Sequence, residues 1–172
     1  MSSRTAIASV RDLAGARVGV VGLGRTGLAV VDALVTLGAR VHAFDSRPQA
    51  LDSLPAAVAR AQSGDEEAMA RAVGEADLRL LIVSPGVPAT GAVLAAARSQ
   101  GVETWSEIEL AWRLQLSSAR PHVPWLAVTG TDGKTTTVGM LSAVLAAAGL
   151  RAPAVGKDRK STRLNSSHII ES

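Results

Sequence analysis

The residues best suited to chemistry in this chain lie in one short segment, Gly130-Thr-Asp-Gly-Lys-Thr-Thr136. It follows an apolar run at 125–128, predicted as a strand, and opens a stretch at 136–148 that we predict to be a helix. Glycines at such a turn let backbone N–H groups point at phosphate oxygens, and the helix dipole adds positive potential. In this pattern Lys134 reaches the β- and γ-phosphates and the Thr135 hydroxyl ligates Mg²⁺. The segment therefore predicts a nucleotide site, although Val128 occupies the first glycine position of the usual loop.

A second glycine-rich turn, Gly22-Leu-Gly-Arg-Thr-Gly27, follows the apolar run at 17–21. Asp45 stands about 20 residues further on, after a predicted strand at 40–44, which is the dinucleotide-binding spacing. The same pattern also occurs as a tight turn that packs a helix on a strand and binds nothing. It predicts an anionic ligand at a helix N-terminus and does not show that this ligand is NAD.

Ser84-Pro85-Gly86 ends a third predicted strand, at 78–83. Open α/β sheets bind ligands at this carboxyl edge, but an ordinary strand-ending turn is an equally good interpretation. His42 and His122 are expected to be structural, because the chain has no Cys and no clustered carboxylates to complete a metal site. Glu107 and Glu109 are expected to be solvated or to cap a helix.

Predicted strands and helices alternate along the part of the chain that contains these motifs. Strands are predicted at 17–21, 40–44, 78–83 and 102–104, and helices at 28–37, 48–60, 66–73, 90–99 and 107–116. This order predicts an α/β, Rossmann-like domain with a parallel sheet at 1–116. Residues 117–124, with two Ser and two Pro, are expected to be a linker. We expect 125–156 to be the truncated start of a P-loop ATP-binding domain.

Composition narrows the class of protein. The 172 residues are 47% hydrophobic with one Phe and no Tyr, so the core must be aliphatic. No charge-free apolar stretch approaches the roughly 20 residues that cross a bilayer, so we expect a cytoplasmic protein without membrane insertion. The formal charge of +3 owes much to residues 157–172, and the other arginines are dispersed without interleaved aromatics, which argues against a nucleic-acid partner.

The last residues have an unusual composition. Residues 158–168 correspond codon for codon to a common short-read sequencing adapter, and Lys157 fits a codon shared by gene and adapter. We therefore expect 157–172 to be a non-native tail and interpret function only up to Gly156.

The collinear motifs GLGRTG, DSR, SPG, SEIELAWRL and PWLAVTGTDGKTTT resemble the Mur ligases of peptidoglycan precursor synthesis. Within them the chain is most similar to the members that add D-glutamate to UDP-N-acetylmuramoyl-L-alanine, over roughly Val18 to Gly156. The resemblance implies an ATP-dependent ligase that first phosphorylates the substrate carboxylate. The amine of D-glutamate then attacks the acyl phosphate, and phosphate leaves.

The resemblance also implies where the ligands bind. The UDP part of the substrate would lie on Gly24, Arg25, Thr26, Asp45, Ser46, Arg47, Ser84, Pro85 and Gly86. Arg25 and Thr26 would contact the pyrophosphate, and Asp45 to Arg47 the uridine side. ATP would lie on Gly130, Thr131, Asp132, Gly133, Lys134, Thr135 and Thr136, with Mg²⁺ on Thr135 and Lys134 stabilising the transferred phosphoryl group.

The chain departs from the family at two positions. Asp132 replaces the usual Asn and adds negative charge beside the phosphates, and Lys157 stands where an Asn-Ile-Gly segment normally begins. The family's acidic and His metal ligands, its modified lysine and its amino-acid-binding domain lie further along, so we expect the 172-residue chain not to ligate. The alternatives are an NAD(P)-dependent oxidoreductase, which leaves the second loop unexplained, and a stand-alone nucleotide-binding module.

Overall fold

The computed structural model describes residues 7–88, 90–119 and 122–154. The chain divides into two compact units between His122 and Val123, inside the segment predicted as a linker. The extents of the two domains stay a prediction. The predicted tail at 157–172 lies outside the described residues.

The first unit is built on a sheet of five parallel strands in the order β3-β2-β1-β4-β5. The strands are β1 (Arg17–Val21), β2 (Arg40–Asp45), β3 (Arg60–Ser63), β4 (Leu80–Val83) and β5 (Glu103–Ser106). After β3 the chain crosses to the other side of β1, so the strand order reverses between β1 and β4. Ligands of open α/β sheets bind outside the carboxyl ends of the strands at such a reversal. The α/β, Rossmann-like fold class is confirmed.

Helices cover both faces of the sheet: α1 (Arg25–Thr36), α2 (Glu66–Glu75), α3 (Ala92–Ser99) and α4 (Glu107–Ser117). One buried cluster contains Val18, Val31, Leu34, Ile82 and Leu110, and the cluster on the other side contains Phe44, Val73, Leu78, Leu81 and Ala97. The core is therefore almost wholly aliphatic, as the composition predicts. Two predicted helix starts carry their caps, since Asp65 accepts a hydrogen bond from Ala68 N at 2.8 Å and Ser106 from Glu109 N at 3.1 Å.

The helix predicted at Pro48–Arg60 is wrong. A short 3-10 helix covers Pro48–Leu51, and β3 begins at Arg60. Pro55 lies inside the predicted helix, where it has no N–H to donate and its ring clashes with the preceding turn. The chain is free beyond it to add an edge strand to β2, with Gln62 aligned to Phe44.

The second unit contains one described helix, α5 (Lys134–Ala147), which begins two residues earlier than predicted. The strand predicted at 125–128 is wrong, since these residues have no regular secondary structure. No residue of α5 is buried, and Met140 and Val144 are 66% and 65% exposed. None of the helices in the described ranges is long and apolar enough to cross a membrane.

Candidate functional site

The glycine-rich turn leaves the carboxyl end of β1 and enters α1. Gly22 has φ +89°, a left-handed conformation that disfavours a side chain, and its N–H donates to Phe44 O at 2.9 Å. A Cβ on Gly27 would lie 1.9 Å from the Gly22 carbonyl oxygen. These two glycines are therefore required by the packing of helix against turn, whether or not a ligand binds.

Gly24 is different, because no contact among the described residues requires a glycine there. Its φ and ψ of −71° and −173° suit any residue, and a Cβ would have none of their heavy atoms within 4 Å. Gly24 is the N-cap of α1 and offers no side chain to the helix amides. The absence of a side chain leaves room for a ligand to approach this backbone, which is the role of the second glycine in phosphate-binding turns.

The helix α1 begins at Arg25, three residues before the predicted start. Arg25 and Thr26 consequently belong to its first turn, and both are exposed. The first N–H groups of a helix have no partner within it, and they lie at the positive end of the helix dipole. This turn is therefore suited to hold a phosphate group.

Asp45, the last residue of β2, is 4% exposed. Its Oδ2 accepts hydrogen bonds from Leu23 N at 2.6 Å and Arg47 Nη2 at 3.2 Å. Its Oδ1 accepts from the Arg47 backbone N at 2.9 Å and Nε at 3.0 Å. An ionised carboxylate has about four acceptor positions, so its capacity is filled. In this geometry Asp45 holds the glycine-rich turn and Arg47 in place.

The charge of Asp45 follows from these bonds. Burial raises the pKa of the carboxyl group, but hydrogen bonds from the Arg47 side chain and from the backbone of Arg47 and Leu23 outweigh it, so the pKa lies below the ordinary 3.8. The hydrogen bond and the attraction from Asp45 raise the pKa of Arg47. The Arg47 side chain stays 63% exposed, so a fixed guanidinium is presented to solvent beside the turn. Ser46 is also exposed.

Ser84 connects the end of β4 to the same turn. Its hydroxyl donates to Gly22 O at 2.8 Å, and its N–H donates to Val21 O at 3.0 Å. Pro85 and Gly86 are exposed in the turn that follows. The structure thus gathers nine predicted residues at the carboxyl ends of β1, β2 and β4: Gly24, Arg25, Thr26, Asp45, Ser46, Arg47, Ser84, Pro85 and Gly86.

The second predicted loop precedes α5. Gly130 and Gly133 have φ +150° and +72°, values that favour glycine, and Gly133 is the N-cap of α5. The ammonium of Lys134 donates to Thr131 O at 3.1 Å and also to Gly130 O. Thr137 Oγ1 donates to Gly133 O at 3.0 Å, whereas Thr135 and Thr136 are exposed in the first turn of the helix.

The groups on this loop fit a nucleoside triphosphate. The first-turn amides of α5 are positioned to donate to phosphate oxygens, and a phosphate could replace the carbonyl partners of Lys134. The exposed Thr135 hydroxyl is an oxygen ligand of the kind that Mg²⁺ prefers. Among the described residues no group of three or more His, Cys, Asp or Glu could hold a metal ion.

One carboxylate near the first site was not predicted to be buried. Glu107 begins α4 directly after β5, and its Oε2 is buried with no hydrogen-bond partner among the described residues. Its neighbour Glu109 accepts from Arg113 Nε at 2.6 Å, as an ordinary helix-surface pair. No sequence signal separates the two, because only the packing of α4 decides which glutamate turns inward.

The sequence of the chain matches known proteins. Residues 16–106 match the family model described as Mur ligase MurD-like, N-terminal domain. The UDP-N-acetylmuramoylalanine–D-glutamate ligase of Frankia casuarinae is 43% identical over 83% of this chain and 29% of its own length. That of Mycolicibacterium vanbaalenii is 45% identical over the same shares. The chain therefore spans less than a third of the length of these relatives.

One of the solved structures that match the chain is the UDP-N-acetylmuramate:L-alanyl-gamma-D-glutamyl-meso-diaminopimelate ligase of Neisseria meningitides. It is 25% identical over 79% of this chain and 41% of that chain, with a TM-score of 0.48.

Proposed function

This chain belongs to the family of MurD-like Mur ligases, and we propose that it is the amino-terminal part of an ATP-dependent ligase that joins D-glutamate to UDP-N-acetylmuramoyl-L-alanine in the cytoplasm. One observation carries the proposal beyond family membership. The first turn of α1 is open to an anion above Gly24, and the buried Asp45 fixes both that turn and the exposed guanidinium of Arg47.

The first unit would bind the UDP part of the substrate. The pyrophosphate would lie on the first-turn amides of α1, beside Arg25 and Thr26, where the dipole and the backbone donors act together. Ser46 and Arg47 would contact the uridine side, with Asp45 positioning them. Pro85 and Gly86 would form the wall that Ser84 joins to the turn.

The second unit would bind ATP on residues 130–136. Lys134 would exchange its carbonyl partners for the β- and γ-phosphates and so stabilise charge on the phosphoryl group as it moves to the substrate carboxylate. The amine of D-glutamate then attacks the acyl phosphate, and phosphate leaves. Bound Mg²⁺ would supply further positive charge beside the phosphates.

A nicotinamide-dependent oxidoreductase is the competing hypothesis for the first unit. In dinucleotide sites the acid after the second strand accepts hydrogen bonds from a ribose hydroxyl. Here that acid is Asp45, whose acceptor positions are filled by Arg47 and Leu23 N, so NAD would have to displace the Arg47 side chain. The exposed Arg47 could still meet the 2′-phosphate of NADP, so NADPH belongs in the test.

Calorimetric titration of the 172-residue chain with UDP, NADH and NADPH tests the substrate class. We expect UDP to bind and neither dinucleotide to compete with it at equal concentration. Tight NADH or NADPH binding that excess UDP fails to displace would contradict the proposal.

Ligation itself is tested with a chimera. Residues 1–154 of this chain would replace the matching segment of the Frankia casuarinae ligase, and incorporation of labelled D-glutamate would be measured with ATP. We expect incorporation by the chimera and none by the 172-residue chain, because the chain covers only 29% of that relative. Incorporation by the chain alone, or a folded chimera that binds UDP and ATP without ligating, would refute the proposal.

A further inference from the structure

The start of helix α3 is capped by a side chain from another helix. Gly91, the N-cap of α3, offers no side chain to the first amides, which have no partner within the helix. Glu66, the first residue of α2, supplies the missing acceptor, since its Oε1 accepts a hydrogen bond from Ala92 N at 2.6 Å. Asp65 caps α2 through its bond from Ala68 N, so α2 does not depend on Glu66 for its own cap.

The glycine at position 91 matches this contact. Its φ and ψ of −69° and 161° suit any residue, but a Cβ on Gly91 would lie 2.6 Å from Glu66 Oε1 and 3.2 Å from Pro88 O. The nearer atom is the end of a flexible side chain, so a methyl group here would push the Glu66 carboxylate away from Ala92 N. The absence of a side chain at Gly91 therefore lets Glu66 reach the helix start.

The connection from β4 to α3 belongs to the first candidate site. It begins at Ser84, whose hydroxyl donates to Gly22 O at 2.8 Å. Pro85 and Gly86 follow, and both are exposed. Ser84 thus fixes one end of this connection to the glycine-rich turn, and Glu66 fixes the helix at its other end.

A carboxylate suits the position of Glu66 for two reasons. Hydrogen bonds to an ionised acceptor are roughly twice as strong as those between neutral groups. The carboxylate also belongs to the first turn of α2 and contacts the first turn of α3, where both helix dipoles favour negative charge. Glu66 can therefore hold the start of α3 although its side chain is exposed.

We propose that Glu66 is a positioning residue of the UDP site. Its carboxylate fixes the start of α3 and thereby the turn that carries Pro85 and Gly86. This inference rests on the function proposed above, in which that turn forms one wall of the site. Without the bond from Ala92 N the turn has to be ordered when UDP binds, which weakens binding roughly two- to tenfold, the usual cost of ordering one group at a binding site.

Three variants of the 172-residue chain separate the hydrogen bond from the charge and from helix stability. Glu66→Ala removes both the charge and the acceptor, whereas Glu66→Gln removes the same charge and keeps an oxygen that can accept from Ala92 N. Calorimetry with UDP should therefore give Glu66→Ala a Kd roughly two- to tenfold above that of Glu66→Gln. Asp65→Ala is the matched control, because it removes the neighbouring acid and the cap of α2; it should lower the Tm without raising the Kd for UDP.

Gly91→Ala alters the same contact from the side of α3. Its Cβ should displace the Glu66 carboxylate and raise the Kd for UDP, and the double variant with Glu66→Ala should bind no more weakly than Glu66→Ala alone. NMR provides a measurement that needs no ligand. The amide signal of Gly86 should shift in Glu66→Ala, return toward its parent position in Glu66→Gln, and stay in place in Asp65→Ala.

The two proposals fail in different ways. A parent chain that binds no UDP would overturn the function proposed above, and the Gly86 signal alone would then decide whether Glu66 fixes the turn. If the parent chain binds UDP, three results would each overturn the role of Glu66: equal Kd values in Glu66→Ala and Glu66→Gln, an unmoved Gly86 signal in Glu66→Ala, or the same loss of affinity in Asp65→Ala.

Discussion

Replacing Gly24 with serine tests whether a phosphate lies over the first turn of α1. The residue has ordinary extended backbone angles, and a Cβ there would meet no heavy atom of the described residues within 4 Å. Serine is also a better N-cap than glycine, because its hydroxyl accepts a hydrogen bond from an amide of the first turn. The same amides would serve a bound phosphate.

The two effects of Gly24→Ser have opposite signs. The free energy of unfolding should stay the same or rise by a few tenths of a kcal/mol, which is the usual difference between serine and glycine at an N-cap. UDP binding should weaken, because the new hydroxyl occupies an amide and the Cβ fills the approach. Loss of one hydrogen bond to a charged group costs about 1.5–3 kcal/mol, which corresponds to a roughly 10- to 150-fold higher Kd.

Gly27→Ala is the matched control. Its Cβ would lie 1.9 Å from Gly22 O, far inside van der Waals contact, so turn and helix must separate. Overpacking of this kind typically costs about 1–3 kcal/mol, which should lower the Tm by roughly 5 °C or more for a domain of this size. A destabilised, weakly binding Gly27→Ala would thus contrast with a stable, weakly binding Gly24→Ser.

Far-UV circular dichroism during thermal and urea unfolding gives the stability of each variant, and calorimetry with UDP gives the Kd. If Gly24→Ser binds UDP with the affinity of the parent chain, no phosphate lies over this turn and the reasoning fails. If the Tm of Gly24→Ser is several degrees lower than that of the parent chain, the space around Gly24 is not open.

Three further outcomes follow from the structure. Asp132→Asn should lower the Kd for ATP about fivefold, because two like charges about 4 Å apart in water repel each other by roughly 1 kcal/mol. An unchanged Kd would show that the Asp132 carboxylate does not lie beside a phosphate. Lys134→Met should raise the Kd for ATP about tenfold or more and leave UDP binding unchanged, as calorimetry would show; equal loss for both ligands would indicate misfolding instead. The pKa of His42 lies below 6.5 because the side chain is partly buried and because the charges of Arg60 and Arg17 oppose its protonation. The imidazole therefore binds a proton more weakly in the folded chain than in the unfolded chain. The free energy of unfolding, measured with urea, should therefore fall as the pH drops through 6.5. In His42→Gln this free energy should depend less on pH. The same pH dependence in both proteins would contradict the prediction.

Sequence patterns predicted most of the first unit because its local signals agree with one another. Apolar runs of strand length and glycines at the turns between them both point to alternating strands and helices. The region 48–60 was mispredicted because its alanines favour a helix while Pro55 and pairing with β2 decide against one. Pairing between distant strands has no local signature, so it can override propensity without warning.

Spacing alone placed the two glycine-rich turns, since the residues that make such a turn are adjacent in the chain. Tertiary contacts decide which glycines of the first turn could carry a side chain. Gly27 is fixed by the Gly22 carbonyl, whereas Gly24 faces open space. Asp45 was identified from its position at the end of the second strand, but its hydrogen bond from Leu23 N forms only when the ends of β1 and β2 are brought together.

The sequence by itself determined the fold class and the family and located the two glycine-rich turns, because each rests on short motifs of neighbouring residues. Three arginines show the opposite case. Arg17, Arg40 and Arg79 are dispersed in the sequence, and nothing in their spacing predicts that they are neighbours. Parallel strands all begin at the same edge of a sheet, so only the tertiary structure sets these three charges in one row.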